Sequence, residues 1–267
     1  MSFSINGKTA IVTGAANGIG LAIARTFADR GANVMCADMD EKRLVEELGD
    51  VADEGNIRYF AGDLRQRLTI ANLVSATIDA FDEVDILVNA SRQVMETDAL
   101  DPEDTSVELL LEQNLMTALR LTQQVARRMI KQAEGRDGDA PGGSIINLSS
   151  IAAHQTRPEL LGYSIAAAGL EQMTRSMALA LAPHRIRVNA VAFGSVMSAS
   201  LKSSIGDHPD WRDEIEARTP LHRIASPKEL VDAVQFLASD GAGFVTGDVM
   251  TVDGGRSLLD PISAPAH

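Results

Sequence analysis

The chain has 267 residues, 45% hydrophobic and 23% charged, an ordinary composition for a folded protein and long enough to bury a sizeable core. Its 24 basic residues against 37 acidic ones leave a formal net charge of −13, which gives nucleic acid or an anionic membrane no basic face to meet. The single cysteine, Cys36, excludes an internal disulfide, is expected as a small core residue and suits a reducing cytoplasm.

The first eight residues lack a basic segment followed by an apolar run, and no later stretch reaches the roughly eighteen uninterrupted apolar residues of a membrane span. Short apolar runs then alternate with longer helical periodicities. This is the pattern of a single-domain, doubly wound parallel sheet with helices on both faces, over residues 1–267. Thr9 to Val12 reads as the first strand and is followed by Thr13-Gly14-Ala15-Ala16-Asn17-Gly18-Ile19-Gly20. The glycines allow positive φ and close backbone approach, and the helix beginning at Ile19 offers free N–H groups, so the turn suits a phosphate. A second strand, Asn33 to Ala37, ends at Asp38, 18 residues beyond Gly20, near where a dinucleotide fold places a carboxylate on a ribose 2′-hydroxyl.

Strand Ile57 to Ala61 leads into Gly62-Asp63-Leu64, a polar helix spans Leu68 to Ala80, and Asp85 to Ala90 reads as a strand buried on both faces. Ser106 to Ala133 reads as one long helix with Asn114 on or beside its apolar stripe, where it needs partners or faces a site. Glu134 to Gly143 is the candidate flexible loop. Then come strand Ser144 to Ser149, helix Gly162 to Ala182 and strand Ile186 to Phe193. Ser195 to Pro220 breaks the rhythm and reads as a mobile helical lid carrying Met197, Leu201 and Trp211. Ser226-Pro227-Lys228-Glu229 signals a helix start. A strand, Val249 to Val252, precedes Asp253-Gly254-Gly255 and a short tail, 256–267. The five histidines, His154, His184, His208, His222 and His267, have no paired ligand spacing, so no metal site is expected.

Ligands of such a sheet sit beyond the strand C-termini. Tyr163 follows Ser150 by 13 residues and opens the next helix, so both hydroxyls can reach one cleft. Spacing alone fits equally a strand-capping serine and a core tyrosine. Together, Thr13 to Gly20, Asp63-Leu64, Asn89-Ala90, Asn114-Leu115 with Thr122-Gln123, Ser149-Ser150, Tyr163-Ser164, Arg187 to Val191, and Thr246-Gly247 with Val252 to Gly255 resemble the short-chain dehydrogenase/reductase family. The resemblance covers nearly the whole chain. It implies that Thr13, Gly14, Asn17, Gly18, Ile19, Gly20, Asp38, Asp63, Leu64, Asn89, Ala90, Tyr163 and Gly194 border a dinucleotide, and that Asn114, Ser150 and Tyr163 match three members of a catalytic tetrad. Asp38, together with Asn17 where NADP-preferring relatives often carry a cation, implies NAD as cofactor. It implies also a small alcohol or carbonyl substrate and a homodimer or homotetramer.

The chain departs from the family pattern at one end of the cofactor. The family's Tyr-x-x-x-Lys reads Tyr163-Ser164-Ile165-Ala166-Ala167, its Asn-Ala-Gly reads Asn89-Ala90-Ser91 followed by Arg92, and its Pro-Gly reads Phe193-Gly194. In the family the lysine favours the tyrosinate, and loss of tuned acid–base help costs roughly 10² to 10⁴ in rate. Two readings follow. Either an NAD(H)-dependent oxidoreductase interconverts a secondary alcohol and a ketone with another cation in the lysine's place, for which Arg92, His154 and Arg157 are candidates. Or the protein binds NAD(H) without efficient redox turnover, as a sensor, scaffold or partner subunit.

Overall fold

A computed structural model describes residues 3–52, 55–134, 141–155, 157–208 and 210–260. Seven parallel strands form one sheet in the order β3-β2-β1-β4-β5-β6-β7. They are β1 (Thr9–Thr13), β2 (Asn33–Asp38), β3 (Ile57–Ala61), β4 (Ile86–Asn89), β5 (Gly143–Ser150), β6 (Ile186–Phe193) and β7 (Val249–Val252). The helices are α1 (Gly18–Asp29), α2 (Glu41–Ala52), α3 (Arg67–Phe81), α4 (Ser106–Leu111), α5 (Thr117–Ala133), α6 (Leu161–Leu181), α7 (Ala199–Asp207), α8 (Asp210–Ala217) and α9 (Pro227–Ala238). The chain winds outward from β1 to β3, returns to β4 beside β1, and winds the other way. The reversal between β1 and β4 is the topological switch point, where such sheets open a crevice.

Alternating side chains explain the two layers of core. In β1, Ala10 and Val12 face one cluster with Ile23 and Phe27 of α1 and Leu230 and Val234 of α9. Ile11 faces the other, with Leu73 of α3, Leu121 and Val125 of α5 and Leu181 of α6. Every residue of β1 is buried, as a central strand covered on both faces requires. Cys36 is fully buried in β2, and burial pushes its thiol up to about 12, so it serves as core and not as a nucleophile.

The expected strands and helices are present with ends shifted by a residue or two, except in one place. The helix expected over Ser106 to Ala133 is interrupted by a π-turn over Glu112–Met116, which centres on Asn114. The expected lid folds as α7 and α8, and its base is closed by a parallel bridge between Val196 and Ala225. Trp211 stacks on His208 with ring centroids 4.3 Å apart. Most of the expected loop, residues 135–140, lies outside the described residues, as does the tail from 261 on. Among the described residues no helix is long and apolar enough to cross a membrane.

Candidate active site

The cleft at the switch point has a volume of about 670 Å³ and is lined by Gly14, Asn17, Gly18, Ile19, Gly20, Asp38, Asp63, Leu64 and Ala90, with Ser91, Arg92 and Ser198 at the far end. Close packing explains the glycines. A Cβ on Gly20 would lie 2.1 Å from the Gly14 carbonyl oxygen, and one on Gly14, whose φ is +66°, would lie 2.9 Å from the Ser91 backbone. A Cβ built on Gly18 meets nothing within 4 Å, so this residue faces open space at the start of α1. The α1 N-terminus and the glycine cradle fit the pyrophosphate of a dinucleotide.

Asp38 has two roles in the geometry. Its Oδ2 accepts the Ala16 N–H at 3.0 Å, which ties the glycine loop to β2, and its Oδ1 accepts the Asp40 N–H at 3.1 Å. Asp63 is chelated by Arg65, Nε to Oδ1 at 2.9 Å and Nη2 to Oδ2 at 2.8 Å. The Arg65 guanidinium holds the Asp63 carboxyl below the ordinary carboxylate range. Three residues expected at the cofactor stand back from the cleft. Thr13 is buried and its Oγ1 accepts the Ala90 and Ser91 N–H groups, each at 3.0 Å, so it shapes the β4 turn from beneath. Asn89 is buried and donates to Thr122 Oγ1 at 3.1 Å and to Asn147 Oδ1 at 2.8 Å. Gly194 packs at the end of β6, where a Cβ would lie 3.1 Å from that of Asp253.

Beyond the Arg92 end of the cleft, β5 delivers Ser150 and the first turn of α6 delivers Tyr163. Tyr163 is buried and packs with Ala152, whose N–H donates to Ser150 Oγ at 3.2 Å. Ala152 is thus the residue that links the strand-end serine to the tyrosine. Arg92 Nη1 donates to Tyr163 Oη at 2.8 Å, and the Arg92 guanidinium lies over the Phe193 ring at 4.4 Å. The ring face and the phenol oxygen together fix the cation. Arg92 and Phe193, the two residues read from the sequence as departures from the family pattern, thus meet in one contact. Asn114 clamps the neighbouring backbone: its Oδ1 accepts the Gln93 N–H and its Nδ2 donates to the Gln93 carbonyl, both at 2.8 Å. The π-turn aims Asn114 at this segment.

The other two candidate cations are engaged elsewhere. His154 Nε2 is 2.9 Å from Glu171 Oε2, one helical turn beyond Ala167. Arg157 stands near Arg256, and its charge helps to hold the Arg256 guanidinium below its ordinary value, after burial as the larger cause. Arg256 itself donates to Ser195 Oγ at 3.0 Å. The sequence reading missed Glu171 and Asn147, because nothing local marks which polar residue of an apolar helix or strand turns inward. Another cleft, about 530 Å³, opens at the opposite ends of the strands beside Lys8, Asp85 and Arg187, away from both glycine turn and tyrosine.

A glycine-cradled cleft at the switch point, whose Arg92 reaches Tyr163, is the arrangement of a dinucleotide-binding oxidoreductase of the doubly wound class. A family model described as enoyl-(acyl carrier protein) reductase matches residues 14–257, and the chain belongs to the short-chain dehydrogenase/reductase family. Relatives include an L-rhamnose 1-dehydrogenase (NAD(P)(+)) of Sphingomonas sp., 33% identical over 94% of this chain and 96% of that protein. A 3-oxoacyl-acyl-carrier-protein reductase of Vibrio cholerae is 32% identical over 96% of this chain and all of its own length. Among solved structures, a 7α-hydroxysteroid dehydrogenase complexed with NADH and 7-oxo glycochenodeoxycholic acid superposes with a TM-score of 0.86 at 30% identity, over 95% of this chain and 96% of that one.

Proposed function

We propose that the protein is an NAD(H)-dependent oxidoreductase that interconverts a secondary alcohol and a ketone, with Tyr163 as acid and base and Arg92 as the cation beside it. The observation that carries this reading is the 2.8 Å hydrogen bond from Arg92 Nη1 to Tyr163 Oη. A guanidinium favours the phenolate by charge and hydrogen bond, so it supplies the electrostatic part of what Ala167 cannot. Gly14, Gly18, Gly20, Asp38, Asp63 and Leu64 would hold the dinucleotide, and the nicotinamide would supply or accept the hydride. Ser150, whose Oγ already accepts from Ala152, has its own proton to donate to the substrate oxygen. Asn114 holds the Gln93 backbone and with it the root of Arg92.

NAD is preferred to NADP in this reading, because Asp38 lines the cleft at the end of β2, and a carboxylate there would repel a 2′-phosphate. Ile165 and Leu179 of α6 are exposed and fit a face shared between copies, as homodimer or homotetramer, which sedimentation at micromolar concentration reads. The buried lone cysteine fits a cytoplasmic setting.

The test is NADH oxidation across a panel of ketones. The intact protein is expected to turn over at least one, and Arg92→Met is expected to lose roughly 10² to 10⁴ in kcat. Turnover unchanged in Arg92→Met sinks the assignment of Arg92. A second reading, NAD(H) binding without efficient turnover, is favoured by the chemistry of Arg92 itself, since a guanidinium cannot release a proton. Tight NADH binding with no turnover on any ketone would select it.

A further inference from the structure

Arg92 can stabilise a tyrosinate, but it cannot carry a proton away from one, because a guanidinium stays protonated in proteins. Ala167 carries none either. Under the proposed reaction Tyr163 gains a proton from every alcohol oxidised, and Tyr163 is only 7% exposed. Another group must relay that proton to solvent.

Beneath Tyr163 lies a cavity of about 20 Å³, lined by Asn89, Asn114, Ser149, Tyr163, Ala167 and Leu170 among others. It is polar enough and large enough for one water. Its lower wall leads outward. Ser149 is buried, and its Oγ donates to Glu171 Oε1 at 3.2 Å, with the Ala167 carbonyl at 3.4 Å. Glu171 is 1% exposed, and its other oxygen, Oε2, meets His154 Nε2 at 2.9 Å. The His154 side chain is 55% exposed. Tyr163, Ala167 and Glu171 are spaced by four residues on α6 and so share the face that packs on β5. The groups facing Glu171 are Ser149 from β5, His154 from the segment after β5, and Arg175 from its own helix, Nη2 at 3.7 Å.

We propose that Ser149, Glu171 and His154 form a proton exit from Tyr163 to solvent, a route that rests on the oxidoreductase reading for its purpose but on the geometry alone for its existence. Tyr163 Oη gives its proton to the cavity water, and the water gives one to Ser149 Oγ as the Ser149 proton moves to Glu171 Oε1. Glu171, starting as the acid with its proton on Oε2, gives that proton to the inward imidazole nitrogen of His154 as Oε1 takes the one from Ser149, and the outward nitrogen releases one to solvent. At each transfer one bond to hydrogen breaks and one forms. After the exposed ring and the Glu171 carboxyl have each made a half-turn, every carrier except Tyr163 has its protons where they began. No electrons move along the path, so no oxidant is needed.

The experiment is a pH jump on the protein without cofactor, followed by tyrosinate absorbance in a Tyr59→Phe background, so that Tyr163 alone reports. His154→Ala is expected to slow proton release from Tyr163 at least tenfold, and added imidazole to restore the rate. Glu171→Gln is expected to slow release as much and not to respond to imidazole. His154 lies at the surface, so its variant is expected to keep the melting temperature and far-UV circular dichroism of the parent. Release within twofold of the parent in a folded His154→Ala overturns the path, as does a slowed release that imidazole fails to restore. These outcomes do not depend on turnover, whereas failure of the oxidoreductase reading would show as an absence of ketone reduction with the pH-jump rates intact.

Discussion

At the scale of single residues, Arg92 and Ala167 must be considered together. A lysine at position 167 would bring an ammonium to the phenol oxygen that Arg92 already contacts, and like charges a few ångströms apart oppose each other. Ala167→Lys alone is therefore expected to give no gain in kcat. In the Arg92→Met background the same substitution is expected to recover activity at least tenfold over Arg92→Met, a coupling of about 1.4 kcal/mol. Steady-state kinetics of the four proteins in the cycle measure it, and additive effects would mean that the two positions do not serve the same oxygen. Asp38 allows a similar separation. Asp38→Asn keeps an oxygen that can accept the Ala16 N–H and removes the charge. If the proposed NAD preference holds, the ratio of the NADP to the NAD dissociation constant is expected to fall roughly tenfold or more in this variant. Asp38→Ala is expected to weaken both, since the glycine loop then loses its tie to β2.

At the scale of elements, α9 shows how a local signal becomes an energetic one. Ser226 precedes Pro227, and Glu229 Oε2 accepts the Ser226 N–H at 2.8 Å while Arg223 Nη2 reaches Oε1 at 2.6 Å. The Arg223 hydrogen bond, then that of the Ser226 backbone, lowers the Glu229 carboxyl from 4.5 to about 2. Because the folded value is the lower one, this contribution is full above about pH 4.5 and is lost as pH falls toward 2. The group is largely solvated, so the pair contributes no more than about 1 kcal/mol. Urea unfolding is expected to find Glu229→Gln less stable than the parent at pH 6, with the gap closing between pH 4.5 and 2. The π-turn in the helix before α5 is an element of a different kind. Sequence periodicity resolves a helix but not a single wide turn within it. Here that turn aims Asn114 at the Gln93 backbone.

At the scale of the molecule, the glycine cleft and the core share strands, so occupancy of the cleft should stabilise the whole fold. Ligand at 100 times its dissociation constant contributes about 2.7 kcal/mol. For a chain of this size NAD is expected to raise Tm by roughly 5 to 10 °C, and NADP at the same concentration by clearly less. Differential scanning fluorimetry decides this, and equal shifts would remove Asp38 as the discriminator.

The fold was legible because its signals are local. Apolar runs, helical periods and glycine turns are written over a few adjacent residues, and the doubly wound order follows from their alternation with right-handed crossovers. Much of the glycine-lined cleft was legible too, since Gly14, Gly18, Gly20 and Asp38 come from two consecutive units. Thr13 and Asn89 were expected at the cofactor, but their side chains turn inward to hold backbone and buried amides, which no spacing shows. The choice among Arg92, His154 and Arg157 was not legible. Arg92 and Tyr163 are 71 residues apart in sequence, and they meet only because β4 pairs with β5 and Phe193 of β6 offers a ring beneath the guanidinium. The sequence by itself determined the sheet, the glycine turn and the alanine at position 167. Only the tertiary structure decided which cation reaches the tyrosine and which buried carboxylate lies behind it, because such encounters depend on strand order and not on neighbours along the chain.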